Sequence, residues 1–207
     1  MNAIEKTTKI FSKFPGIGPR QSKRFVFFLL TKGNDFLDEF IELLNKLKNE
    51  ISMCNSCYRF FPTNSKEKKT CNTCSDKNRN SSIIMLVEKD TDLENLEKSG
   101  VYKGYYFVLG GNISIFEKNP EEKIRAKELI KKINESIKNG LKEIIIATSL
   151  NTEGENTMEF VNKILAPIVK KYSLKVSVLG RGLSTGTELE YIDTETIKNA
   201  LQNRQIK

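Results

Sequence analysis

The sequence contains no histidine. That absence removes the commonest general base, and with it the Ser-His and Cys-His nucleophile pairs. No apolar run approaches the roughly 20 residues of a membrane span. The opening MNAIEKTTKIF lacks the apolar core of a signal peptide. No Gly-Lys-Ser/Thr of a phosphate-binding P-loop occurs, and no internal repeat. These absences lead us to expect a cytoplasmic protein. In a reducing compartment its four cysteines would hold metal rather than form disulfides.

What is present begins with charge. The 207 residues carry a net charge of +8, which favours an acidic partner, nucleic acid first. A lysine-rich solvated surface is the plain alternative. The length suits one large or two small domains with a real core.

Three regions differ in pattern. The first has a weak helical pattern over 3–13. Breakers follow at Pro15, Gly16, Gly18 and Pro19, then an apolar helix within RQSKRFVFFLL. After Gly33-Asn34 comes DFLDEFIELLNKLKNEI, with apolar residues at helical spacing. Over 52–82 apolar periodicity disappears, and such a segment needs a staple to fold. Beyond 83, the apolar runs IIMLV, YYFVL, EIIIAT and KVSVL alternate with helical stretches near 90–99, 120–139 and 156–172. That alternation predicts an α/β layer with a mainly parallel sheet. A short helix is expected near 193–203.

Three motifs carry chemistry. In FPGIGPRQSKRF the glycines between two helices can aim backbone amides outward, and Pro19 suits the first turn of the second helix. Outward amides at a helix start make a phosphate seat that reads no base. Arg20, Lys23 and Arg24 follow within about one turn. Gly16, Ile17, Gly18, Arg20, Lys23 and Arg24 are therefore the candidate DNA contacts, against a plain helix–loop–helix corner with incidental charge. Next, Cys54-x-x-Cys57 and Cys71-x-x-Cys74 lie 13 residues apart. Two such knuckles supply the four thiolates of a closed, structural Zn²⁺ site. Arg59, Lys66, Lys68 and Lys69 lie between them as a solvated loop, with DNA phosphates as the alternative. Finally, Glu88 directly follows an apolar strand, and Asp90 and Asp92 open the next helix. Mg²⁺ is one reading of this trio. Helix capping is the other, and it leads. Metal-dependent catalysis would need a further carboxylate pair after EIIIAT, but Ser149, Leu150, Asn151, Thr152 and Glu153 stand there with no Asp-x-Asp. The glycine-rich stretches VLGGNIS and LGRGLSTG are read as turns or interface loops, with Arg181 the one cation in the second.

Taken in order, FPGIGPRQSKRFVFFLL, CNSC…CNTC, IIMLVEKDTDLENLEKSGVYKGYYFVLGGNIS, EIIIATSLNTEGENT and GRGLSTGTELEYIDTETIKNAL resemble the bacterial recombination mediator family RecR. The resemblance spans nearly the whole chain. It implies a multi-part α/β protein. An N-terminal helix–hairpin–helix would occupy 1–51 and a four-cysteine zinc finger 52–80. A Toprim α/β domain would occupy 81–176, and a C-terminal segment making oligomer contacts 177–207. It also implies no catalysis, a Toprim fold used as a binding platform, and assembly as a dimer or ring tetramer. The implied partners are single- and double-stranded DNA, RecO and RecF, and the implied work is loading RecA at gaps coated with single-strand binding protein. Glu88, Asp90 and Asp92 would meet a partner or Mg²⁺ without turnover. Two other classes stand against this: a Mg-dependent, primase- or nuclease-like Toprim enzyme using Glu88, and a zinc-stapled scaffold that touches only proteins. The sequence departs from the family in carrying Tyr106 and Phe28 where histidine is common, in a longer loop between the cysteine pairs, and in SVLGRGLSTG.

Overall fold

In the computed structural model, residues 1–63, 65, 67–180, 182–183, 186 and 188–204 are described. They divide into two compact units, Met1–Ser52 with Pro62–Lys66, and Met53–Phe61 with Glu67–Lys207.

The first unit consists of three helices, α1 (Ala3–Phe11), α2 (Pro19–Thr31) and α3 (Asn34–Glu50). Helix α1 starts in a capping box: Glu5 N–H donates to Asn2 Oδ1 at 2.9 Å, and Asn2 N–H donates to Glu5 Oε2 at 3.1 Å. Phe11 packs edge-on against Phe14 and Phe25, at 5.6 and 5.8 Å between ring centroids, which holds the corner between α1 and α2. Buried residues are few. Helix α2 buries Ser22 and Val26, and α1 and α3 bury none. The helical spacing along α3 is as expected, yet Ile41, Leu43, Leu44 and Leu47 stay exposed.

Short strands β1 (Ile51–Met53) and β2 (Phe60–Pro62) form a two-stranded sheet, and α4 (Asn72–Ser75) carries the second cysteine pair. None of the three follows from hydropathy, because the segment lacks it.

The α/β layer holds β3 (Asn80–Val87), α5 (Asp90–Ser99), β4 (Gly104–Val108), α6 (Ala126–Lys138), β5 (Glu143–Ala147), α7 (Thr152–Tyr172) and β6 (Lys175–Val178). All pairings are parallel, in the order β4-β3-β5-β6. Successive side chains of a strand face opposite sides. Ile84, Leu86, Ile144 and Ile146 therefore pack with Leu129 and Ile133 of α6 and Val161 and Leu165 of α7. Met85 and Val87 pack with Leu93 of α5 on the other face. The sheet is covered on both sides, which explains the nearly continuous apolar strands.

Two helices begin elsewhere than their hydropathy suggests. Helix α6 starts at Ala126 because Arg125 is tied to β4: its N–H donates to Leu109 O at 2.9 Å and its Nη1 to Val108 O at 2.8 Å. Helix α7 starts at Thr152 because Asn151 caps it, accepting from Gly154 N–H at 2.8 Å. The chain continues into α8 (Thr194–Gln202). No helix among the described residues is long and apolar enough to cross a membrane.

Candidate nucleic-acid interface and metal centre

The hairpin between α1 and α2 is built by Pro15 and Gly16. Ile17 N–H donates to Phe14 O at 3.1 Å, and Gly16 takes φ +74°, which is the residue order a type II turn asks for. Gly18 then caps α2 with Pro19 as its first residue, and no side chain closes that helix start. The Ile17 amide is therefore engaged inside the turn. The open donors lie at Gly18 and on Arg20 and Gln21 in the first turn, where a helix leaves its amides without partners. Ile17 is half-buried and works as the anchor of the corner. Arg20, Lys23 and Arg24 are exposed, and no ion pair among the described residues engages them. An uncapped helix start with free cations beside it attracts anions.

The four cysteines converge. The thiol sulfurs of Cys54, Cys57, Cys71 and Cys74 all lie within 4.8 Å of one another. Cys57 and Cys71 Sγ are 3.7 Å apart, close to the edge of about 3.8 Å that a tetrahedron with Zn–S bonds of ~2.3 Å requires. Cys54 Sγ accepts from Ser56 N–H at 3.4 Å and Cys71 N–H at 3.3 Å. Amide donors of this kind favour the thiolate that metal needs. The donor set fits a structural zinc site with no open position.

This finger is fastened to the α/β layer. Val108 N–H donates to Cys57 O at 2.8 Å, and Phe60 N–H donates to Asp90 Oδ1 at 2.7 Å. Lys132 Nζ donates to Ser56 Oγ at 2.6 Å, and the Tyr105 hydroxyl donates to Asp76 O at 2.9 Å. Of the loop cations, Lys68 bonds Asn72 Oδ1 at 2.8 Å, and the Arg59 side chain lies 3.9 Å from Glu94. Lys66 and Arg181 fall outside the described residues.

The three acids read from the sequence as a partner or Mg²⁺ contact have separate partners. Glu88 is 1% exposed. Its Oε1 accepts from Ser149 N–H at 2.9 Å and its Oε2 from the Ser149 hydroxyl at 2.7 Å. Asp92 caps α5, accepting from Lys89 N–H at 2.9 Å. Asp90 is the acceptor for Phe60. Glu153 points to solvent, and Asn151 is occupied as the α7 cap. Sequence reading missed Ser149 as the partner of Glu88. The signal lies in register: Val87 pairs with Ala147 in the parallel sheet, so the residues after both strands meet. Of the two positions where histidine was expected, Tyr106 is buried in β4 while Phe28 lies half-exposed on α2. Gly110 has φ +91°, and a Cβ there would press on the Arg125 guanidinium, so VLGG is a tight turn.

Residues 82–180 match the Toprim domain family, and residues 182–205 match the family described as RecR, C-terminal. A recombination protein RecR from Dehalococcoides mccartyi is 35% identical over 203 residues, covering 98% of this chain and 94% of the relative. The protein of that name from a second strain is 36% identical over 203 residues, covering 98% and 93%. The one from Bdellovibrio bacteriovorus is 31% identical over 207 residues, covering 99% and 97%. With this likeness running from the helical hairpin through the cysteine knuckles to the C-terminal segment, the chain belongs to the recombination protein RecR family.

Proposed function

We propose that this chain is a non-enzymatic, DNA-binding mediator of recombinational repair. It acts with RecO and RecF to help load RecA at gaps coated with single-strand binding protein. The observation that carries this reading is the uncapped start of α2, with the free cations Arg20, Lys23 and Arg24 beside it. Backbone amides near Gly16 and Gly18 position phosphates, and the three cations neutralise them. Binding is largely independent of sequence and weakens steeply with salt, because each phosphate contact releases condensed ions. Cys54, Cys57, Cys71 and Cys74 hold Zn²⁺ and order the finger between the helical region, 1–51, and the Toprim region, 81–176. Asp90 and Asp92, half-exposed, supply the acidic edge that a basic partner or Mg²⁺ meets without turnover. The exposed apolar residues of α3 and the segment 177–207 suit a homo-oligomer, a dimer or ring tetramer. The protein works in the cytoplasm, at the nucleoid.

Lack of turnover is supported by Glu88. Both of its oxygens are engaged by Ser149, and no Asp-x-Asp follows β5. The test is a mobility-shift titration of the double variant Arg20→Glu, Lys23→Glu. Loss of DNA affinity is expected, and unchanged affinity would leave a scaffold that touches only proteins. Incubation with DNA and Mg²⁺ should give neither nicking nor synthesis; turnover that disappears in Glu88→Gln would replace the mediator with an enzyme. Mass in solution, with and without DNA and RecO, measures the assembly.

A further inference from the structure

The finger meets the α/β layer along a cleft of ≈ 370 Å³. Its walls come from separate elements: Ser56 of the first knuckle, Cys74 of α4, Ser81 of β3, Tyr105 of β4 and Lys132 of α6. Cys54, Cys57 and Cys71 are 0%, 1% and 2% exposed. Cys74 alone of the four is not buried, and it lines the cleft. Two side chains of the layer flank the opening, one on each knuckle. Lys132 Nζ donates to Ser56 Oγ at 2.6 Å, and Ser56 N–H in turn donates to Cys54 Sγ at 3.4 Å. The Tyr105 hydroxyl donates to the carbonyl of Asp76, two residues past Cys74, at 2.9 Å. The two tethers also meet each other, with Lys132 Nζ 6.0 Å from the Tyr105 ring centroid. The spacing of the knuckles on this side is thus held by α6 and β4. A four-sulfur site has no open position, so an incoming chelator or electrophile must engage a thiolate it can reach, and that reactivity follows exposure.

We infer that Cys74 is the position at which the metal centre opens to chelators and soft electrophiles, and that Lys132 and Tyr105 are positioning residues that keep it closed. The inference rests on the zinc reading above and adds where the site yields. Lys132 acts through Ser56: its ammonium fixes the hydroxyl, and the same residue supplies an amide to Cys54. Outer partners of this kind hold metal ligands in orientation, and their loss weakens metal binding about 10–100-fold. Tyr105 acts on the backbone that follows Cys74, and so limits how far that thiolate can swing. Cys54, Cys57 and Cys71 pack around Phe61 and offer no second route.

The experiment uses the full chain loaded with zinc. Iodoacetamide is added in limiting amount, the alkylated peptide is identified by mass, and released zinc is read with a chromogenic chelator. Alkylation should fall first on Cys74, whose thiolate displaces iodide as the carbon–sulfur bond forms, and zinc should leave in step with that first modification. This order is read on the unaltered chain, so it stands however the variants fold. With EDTA as competitor, Lys132→Met should release zinc about tenfold faster. Tyr105→Phe, which loses one hydrogen bond, should release it about threefold faster. Lys132→Arg, which keeps the cation, should restore the slow rate. Ser56→Ala should speed release as Lys132→Met does, and the double variant should be no faster than either, because the lysine acts through the serine. Cobalt in place of zinc should show the same thiolate charge-transfer bands in every variant, since no ligand is altered. First alkylation at Cys54, Cys57 or Cys71, or at all four together, would overturn the inference. So would release rates unchanged in both Lys132→Met and Tyr105→Phe. If the chain retains no zinc and takes up no cobalt, the zinc reading itself fails, whereas a chain that binds the metal but alkylates in another order sinks this inference alone.

Discussion

Helices α1 to α3 bury two residues, Ser22 and Val26, whereas the α/β layer closes a continuous core over both faces of its sheet. The polar groups follow the same division. In the helical unit the cations of α2 are unpaired and the helix start is uncapped. In the α/β unit Glu88, Asp90, Asp92, Asn151 and Arg125 each have a designated acceptor or donor. A surface left unsatisfied in this way suits binding, because a partner can supply what the fold does not. A layer whose strand-end acids and helix caps are engaged in this way suits a rigid platform. The strand-end carboxylate Glu88 follows the same division, buried with both oxygens engaged by Ser149.

This contrast can be broken in several places. The largest effect should come from the metal. Chelation, or Cys57→Ser, removes a tetrahedral centre whose knuckle carbonyl accepts from Val108. Structural zinc contributes many kcal/mol to the domains it staples. The melting temperature of the α/β unit should fall by on the order of 10 °C, measured by calorimetry beside a zinc assay. Leu129→Ala should cost ~3 kcal/mol in denaturant unfolding, since its side chain is fully buried between α6 and the sheet. Gly154→Ala should cost about 2–3 kcal/mol, because the new Cβ would collide with the Ser149 carbonyl, which is backbone and cannot step aside. Ser149→Ala should cost about 2 kcal/mol by leaving the buried Glu88 short of a donor. The same change made in a Glu88→Met background should cost clearly less, and equal costs would show that the pair does not couple. Smallest of all, Leu44→Ala on α3 should stay within about 0.5 kcal/mol in the monomer, as its side chain is 48% exposed. A loss as large as that at Leu129 would erase the difference between the units.

Much of this could be read in advance, for identifiable reasons. Parallel strands covered on both faces must be apolar throughout, so IIMLV and EIIIAT announce themselves. Two Cys-x-x-Cys pairs have few uses other than one tetrahedral ion. Pro-Gly-x-Gly-Pro between helical stretches can hardly be anything but a sharp corner. Other features were illegible. Strands β1 and β2 have too few apolar residues to show a period. The starts of α6 and α7 depend on Arg125 reaching β4 and on Asn151 capping its own helix. The exposure of Phe27, Phe28 and Leu44 contradicts their hydropathy, because an apolar residue at helical spacing reads as core whether or not anything covers it.

Local chemistry along the chain thus determined the corner, the cysteine knuckles, the alternation of strand and helix, and the cluster of cations, since each needs only neighbours a few positions away. Which strand lies beside which, and hence that Ser149 lies against Glu88, was settled in three dimensions. Contacts of that kind join residues 61 positions apart, and only the packing of a covered sheet selects them.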